Sequence, residues 1–170
     1  MTTGIRLAVL LAAGLIFPPL ASAQSKSDVD AINKLIDQYG ELEDKMDMNA
    51  QAKLMTPDRV WVSPGGGRRT DQATNMRIQQ ANFDALKKQV PGVETFTEDR
   101  DRLIRFHGNG QVATASFYRY TTLILPPNTP AEVAKDLAAP APAAGTLVLE
   151  KRDGGWKIVH SHFSNLTAPN

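Results

Sequence analysis

The chain has 170 residues, with 19 Lys and Arg against 18 Asp and Glu, and it contains no cysteine. Without cysteine there is neither a disulfide framework nor a thiol nucleophile, so a folded domain has to depend on a hydrophobic core. The charges balance, and Arg68-Arg69 is a pair rather than a basic patch. We therefore expect no nucleic-acid partner.

Residues 1–23 are predicted to be a signal peptide. Arg6 precedes an apolar run from Leu7 to Leu20, and Ala21-Ser22-Ala23 supplies the small residues of a cleavage site. The run is short and broken by Pro18-Pro19, which argues against a membrane-spanning helix, although an uncleaved anchor is the alternative. We expect an exported protein, periplasmic or secreted, with no stable membrane insertion after cleavage. Residues 24–170 then form a single domain.

Three segments have the apolar spacing of helices. The first runs from Ser27 to about Asp47 and carries Tyr39 in its apolar stripe, where the hydroxyl either donates to backbone or points into a cavity. A short helical segment covers residues 49–55, and a longer helix covers residues 71–90. In the longer helix Gln79 lies where the pattern favours leucine. A buried amide requires a polar partner, so Gln79 either bonds a strand backbone or lines a pocket.

The rest of the chain is predicted to form strands, interrupted at about residues 126–145 by a Pro/Ala-rich insertion with one possible helical turn. The predicted strands are 58–63, 93–107, 111–125, 146–152 and 155–165.

Alternation along two of these strands suggests where their faces lie. The last strand has apolar or aromatic residues on both faces, which predicts a position inside the sheet. One face carries Trp156, Ile158, His160 and His162, and the other carries Val159, Ser161 and Phe163. In the strand 111–125 the polar face, which includes Tyr118, is expected to border a cavity.

This order of elements resembles the nuclear transport factor 2-like superfamily. The segment from Tyr39 to Pro64, which ends in Trp61-Val62-Ser63-Pro64, is similar to ketosteroid isomerase. The last strand, 156–164, resembles the association (hub) domain of calcium/calmodulin-dependent kinase and its SnoaL-like bacterial relatives. The resemblance implies an α+β, cone-shaped fold with N-terminal helices packed on a strongly curved antiparallel sheet. It also implies a pocket at the mouth of the cone and a homodimer formed through the outer sheet face.

The same resemblance implies an incomplete catalytic set. Tyr39 matches the oxyanion-hole tyrosine of the isomerase, but Ser63 matches its aspartate base and Val148 its protonated aspartate. A serine hydroxyl cannot abstract a carbon-bound proton near neutral pH without a base of its own. Gln79, Tyr118 and Phe163 match hub-domain pocket positions that hold His, Arg and Arg, which implies a neutral pocket.

We therefore predict a binding protein for a small apolar or weakly polar molecule, with no catalytic residue, cofactor or metal assigned. His160 and His162 have a chelating spacing, but the remaining histidine, His107, lies in a turn. One alternative is an isomerase, dehydratase or cyclase that uses Asp58 or Glu150, and another is an oligomerising scaffold. The predicted pocket has aromatic walls and consists of Tyr39, Trp61, Ser63, Gln79, Phe83, Tyr118 and Phe163.

Overall fold

A computed structural model describes residues 25–63, 67–137 and 142–166. The predicted signal peptide lies outside these ranges. The helices are α1 (Lys26–Asp44), α2 (Met48–Ala52), α3 (Gln72–Gln89) and α4 (Ala131–Asp136). The strands are β1 (Met55–Val62), β2 (Arg68–Arg69), β3 (Glu94–His107), β4 (Val112–Ile124), β5 (Ala143–Arg152) and β6 (Gly155–Asn165).

The described strands form one curved sheet in the order β2-β1-β6-β5-β4-β3. Neighbours are antiparallel except for β1 and β6, which run parallel. Strand β6 lies inside the sheet, between β1 and β5, as its two apolar faces predicted. Helix α1 packs on β3 and β6, and α3 packs on β1 and α2, so the N-terminal helices cover one face of the sheet. This is the predicted α+β fold.

Polar side chains cap the two long helices that cover the sheet. Ser25 caps α1 by accepting from the backbone N–H of Asp28 at 3.1 Å. Asp71 caps α3 by accepting from the backbone N–H of Thr74 at 3.3 Å. Each cap satisfies a backbone donor that the helix itself leaves free.

The core lies between α1 and the inner faces of β4, β5 and β6. Gly145 in β5 admits two aromatic rings there, because an added Cβ would stand 2.8 Å from ring carbons of both Phe117 and Phe163. A side chain at this position would displace the rings, so the glycine is needed for close packing. The buried members of this core are Ile32, Leu35, Ile36, Tyr39, Met48, Met55, Met76, Ala113, Ala115, Phe117, Leu147, Leu149, Trp156, Ile158 and Phe163.

A bulge in β6 changes which residues point inward. Leu149 pairs with Ile158 and Val148 pairs with His160, so Val159 has no partner in the β5 ladder. The extra residue shifts the alternation by one position. Trp156 and Ile158 are therefore buried before the bulge, while Ser161 and Phe163 are buried after it. The prediction that these two pairs lie on opposite faces is wrong, because simple alternation does not allow for a bulge.

The predicted orientation of β4 is also wrong. Ala113, Ala115 and Phe117 face the core, whereas the Thr/Ser/Tyr face lies on the other side of the sheet, with Tyr118 44% exposed. An antiparallel sheet covered on one face keeps its small and apolar residues there and leaves polar residues on the uncovered face. Tyr118 therefore does not point towards the helices.

No helix in the described part of the chain is long and apolar enough to cross a membrane.

Asp28 fastens the start of α1 to the β5–β6 hairpin. Its carboxylate accepts from Trp156 Nε1 at 3.0 Å and from Ser25 Oγ at 2.8 Å, and it pairs with Lys151 Nζ at 2.7 Å. The hydrogen bond from Lys151, followed by those from Ser25 and Trp156, lowers the pKa of Asp28 to about 2. The charged carboxylate therefore stabilises the folded state.

Asp28→Asn should lower the free energy of unfolding at pH 7, measured by urea denaturation. In the unfolded chain an aspartate has a pKa of about 4, and in the folded protein the pKa of Asp28 is about 2. The stabilisation is therefore complete above pH 4 and is lost as the pH falls towards 2. The gap between wild type and variant should close over this window. Asp30→Asn, an exposed change in the same helical turn, should show no such gap, and a gap that stays constant down to pH 2 would contradict the assignment.

Candidate functional site

Two arginines lie inside the protein, Arg59 on β1 and Arg119 on β4, with 1% and 5% of their surfaces exposed. A buried charge is costly unless opposite charges and hydrogen bonds compensate for it. The partners of the two guanidinium groups therefore show what each group does.

Arg119 is fully compensated. Its Nε and Nη2 donate to the two carboxylate oxygens of Asp99 at 2.8 and 2.7 Å, and its Nη1 donates to Glu43 Oε2 at 2.6 Å. The guanidinium also lies 4.7 Å from the ring centre of Tyr39, 5.1 Å from that of Phe163 and 5.5 Å from that of Phe117. Burial lowers the pKa of Arg119, but Glu43 and Asp99 outweigh it and the pKa is raised. Arg119 is thus a permanent cation with a structural role.

Glu43 is the less firmly held carboxylate of this network, because Asp99 takes two of the Arg119 hydrogen bonds and Glu43 one. Burial, opposed by Arg119 and reinforced by Asp99 and Asp44, raises the pKa of Glu43. Tyr39 lies one helical turn earlier on α1. Burial, followed by the charge of Glu43, raises the pKa of Tyr39 to about 12, so its hydroxyl stays protonated at neutral pH.

Arg59 has only neutral hydrogen-bond partners within the described residues. Nη1 donates to Ser161 Oγ at 2.7 Å, and Nη2 donates to Asn75 Oδ1 at 2.6 Å. Nη2 also lies 3.9 Å from the sulfur of Met76, while Nε is buried without a partner in the described chain. Burial lowers the pKa of Arg59, the nearby Tyr39 opposing it. Unlike Arg119, Arg59 lacks a compensating carboxylate in the described part of the protein.

The neighbours of Arg59 add further donors. Asn75 Oδ1 accepts a second hydrogen bond, from Gln79 Nε2 at 2.9 Å, so this oxygen serves two donors. The amide nitrogen of Asn75 is buried without a partner among the described residues. Arg59, Asn75, Gln79 and Ser161, which we call the Arg59 cluster, therefore hold more donors than acceptors.

Three elements bring the Arg59 cluster together. Arg59 is two residues before Trp61 on β1, so the two side chains share a strand face. Asn75 and Gln79 are four residues apart on α3 and therefore lie on the same side of the helix. Ser161 faces inward because the bulge at Val159 shifts the alternation of β6.

The structure places five of the seven predicted pocket residues on the helix-covered side. Tyr39 and Phe163 stack with ring centres 6.4 Å apart, and Gln79 belongs to the Arg59 cluster. Phe83 packs, half-buried, against the core. Trp61 shares the strand face of Arg59 and pairs with the inward-facing Ser161. Ser63 follows the end of β1, and its Oγ accepts from Gly67 N at 3.1 Å. Tyr118 is separated from them on the outer face.

Other predicted candidates also lie away from this interior. Val148 is on the outer face, between the buried Leu147 and Leu149, so it cannot occupy the place of an inward-pointing aspartate. Asp58 is exposed, and Glu150 pairs with the exposed Arg152. His160 and His162 pair with the outer-face residues Val148 and Thr146. The described residues contain no group of three or more His, Asp or Glu that could hold a metal ion.

Sequence reasoning assigned no role to Arg59, Asn75, Arg119 or Ser161. It placed no charge in the interior, whereas the structure buries both arginines there. A usable signal was present, because Arg59 alternates with Trp61 and Ser63, and Asn75 lies one turn before Gln79.

The chain belongs to the SnoaL-like domain family, whose model matches residues 32–169. Its fold is that of the nuclear transport factor 2-like (cystatin-like) proteins. A protein of this fold from Novosphingobium aromaticivorans is 19% identical with a TM-score of 0.63, and the alignment covers 84% of each chain. No functionally curated protein matches the chain.

Two further solved structures from Novosphingobium aromaticivorans share the fold and carry activity-based descriptions. A candidate aromatic ring hydroxylase is 15% identical with a TM-score of 0.64, over 84% of this chain and 91% of the other. A candidate scytalone dehydratase is 13% identical with a TM-score of 0.62, over 83% of this chain and 85% of the other. At these identities the likeness establishes the fold alone.

Asp99→Asn should lower the free energy of unfolding by about 3 kcal/mol, since it leaves a buried arginine without its two-point partner. Glu43→Gln should cost about 1 kcal/mol, because an amide oxygen can still accept from Arg119. Urea denaturation at pH 7 measures both. Glu98→Gln, which breaks the exposed pair with Arg100, is the control and should leave the free energy of unfolding unchanged within error, because water screens an exposed ion pair. Equal effects of all three changes would contradict the structural role of Arg119.

Proposed function

We propose that this protein binds a small molecule between α1, α3 and the inner face of the sheet. The observation that carries the proposal is the Arg59 cluster, whose buried donors exceed its acceptors beside the hydrophobic core. Ligand pockets in proteins are typically apolar with a few convergent polar groups. The resemblance to superfamily members with a pocket at the mouth of the cone supports the same location.

The side chains around the Arg59 cluster favour a ligand with an apolar or aromatic body. Met76 touches the guanidinium directly, and Phe83 and Phe163 are hydrophobic residues of the same interior. Tyr39 adds a hydroxyl that stays protonated at neutral pH. The pocket proposed here therefore keeps the predicted aromatic walls and gains a cationic end.

Export and dimerisation are part of the same proposal. The signal peptide predicted at residues 1–23 supports action outside the cytoplasm. The outer sheet face carries Tyr118 and Leu103, both about half exposed, beside the small residues Ser116 and Thr146. An exposed face of this character supports association with a second copy of the chain.

Native mass spectrometry of the protein purified from its own host tests these points together. We expect the mass of a dimer that starts near Gln24 and retains a small organic molecule, which denaturation should release. Phe163→Ala opens the aromatic wall and should reduce retention, whereas Arg77→Gln, an exposed change on α3, should leave it unchanged. Full occupancy of the interior by the protein's own side chains, with no molecule retained, would contradict the proposal.

A second candidate is an enzyme of the isomerase, dehydratase or cyclase type. It is favoured by Glu43, a carboxylate with a raised pKa in the same network as Tyr39. Perturbed carboxylates beside a donor are frequent in sites that move protons. In this reaction Glu43 would take the proton and Tyr39 would donate a hydrogen bond to the developing oxyanion.

The retained molecule provides the test of this enzymatic alternative. Incubated with the protein in deuterated water, it should gain carbon-bound deuterium, detected by mass spectrometry, or lose the mass of water. Glu43→Gln should remove this activity while leaving binding intact, because it alters only the proton-accepting group. Exchange that is unaffected by Glu43→Gln, or absent in the wild type, excludes Glu43 as the base.

A further inference from the structure

We propose that Arg59 anchors a carboxylate group of the bound molecule, with Asn75 as a second donor. This inference rests on the proposed binding function and specifies its ligand class. The proposal concerns an anionic ligand, whereas the sequence alone predicted an uncharged one.

The two buried arginines differ in the charge of their hydrogen-bond partners. Arg119 has two carboxylates and three hydrogen bonds to them, while Arg59, which is also buried, has a hydroxyl, an amide oxygen and a thioether. A buried ion with only neutral partners destabilises a fold compared with an apolar side chain of similar size. Arg59 is therefore better explained by a negatively charged partner from outside the chain than by a need of the fold.

Two nitrogen donors of the Arg59 cluster lack a partner among the described residues. The Nε of Arg59 and the amide nitrogen of Asn75 are buried and unpaired among the described residues. Asn75 Oδ1 receives Arg59 Nη2 and Gln79 Nε2 together, which fixes the amide so that its nitrogen is available to another acceptor. An acceptor-only group meets this need, and a carboxylate has two coplanar oxygens that match the planar fork of a guanidinium.

The route by which a ligand reaches the Arg59 cluster leads past Gln79. Arg59 is 1% exposed, so a side chain has to move before a ligand touches it. Gln79 is half-buried and contacts the cluster through its hydrogen bond to Asn75. Rotation of Gln79 would open the cluster from the side of α3, while Arg59 Nη2 still holds Asn75 Oδ1. A ligand carboxylate would then accept charge-assisted hydrogen bonds from Arg59 and a hydrogen bond from the amide nitrogen of Asn75.

Benzoate and benzamide are the matched probes, because they have the same ring and differ in charge. Titration calorimetry on the wild-type protein should show benzoate binding at least about tenfold more tightly, the usual scale of hydrogen bonds to charged groups. Arg59→Gln should abolish that preference by weakening benzoate alone. Arg77→Gln changes an exposed arginine of α3 and should keep the preference for benzoate.

A second measurement is made on the wild-type protein, so it does not require a variant that still binds the probes. In the ¹⁵N-labelled wild-type protein, the Nε–H resonance of Arg59, identified by its loss in Arg59→Lys, should shift on addition of benzoate and stay in place with benzamide. An unchanged resonance at saturating benzoate overturns the inference, as does an equal shift with inorganic phosphate at the same ionic strength. If both probes bind equally well, or if a neutral molecule is retained from the host, the carboxylate assignment fails while the proposed binding function stands.

Discussion

The central physical constraint in this protein is the placement of two guanidinium groups beneath the helices that cover the sheet. One of them, Arg119, joins α1, β3 and β4 through Glu43 and Asp99, and its aromatic neighbours Tyr39, Phe117 and Phe163 complete its surroundings. The packing of the helices on the sheet depends on this ion network. The other, Arg59, occupies the same interior without a carboxylate partner among the described residues, and the proposed binding function rests on that difference.

The two arginines also explain why the proposed binding site lies at the Arg59 cluster and not at Arg119. Arg119 closes the end of the interior between α1 and the β3–β4 hairpin, where each of its polar groups is used. Arg59 lies towards α3, beside polar residues that are only partly satisfied. A cone-shaped fold covered by helices on one face therefore has one end that is consolidated by ion pairs and another that retains hydrogen-bonding capacity. Tyr39 belongs to the first of these ends, because its ring centre lies 4.7 Å from the Arg119 guanidinium.

Local patterns predicted the elements of this fold better than they predicted its faces. Helical spacing and turn residues gave the helices and the longer strands to within a few residues but not the two-residue β2, and two apolar faces placed β6 inside the sheet. Alternation failed at β6, since a bulge depends on pairing with β5 and leaves no mark in a single strand. It failed at β4 because a polar face suits water as well as a cavity. Arg59 and Arg119 were missed because the burial of a charge depends on partners distant in sequence.

The bulge at Val159 has a further consequence for comparing this chain with its relatives. Ser161 reaches Arg59 only because one extra residue rotates the end of β6, while the aromatic packing of Phe163 uses the same rotation. A relative without that residue would have to turn the serine outward and place its neighbour beneath the helices. Insertion or deletion of one residue at this site would thus change the polarity of the interior without changing the fold. A sequence alignment that places the gap elsewhere would match inward-pointing residues with outward-pointing ones.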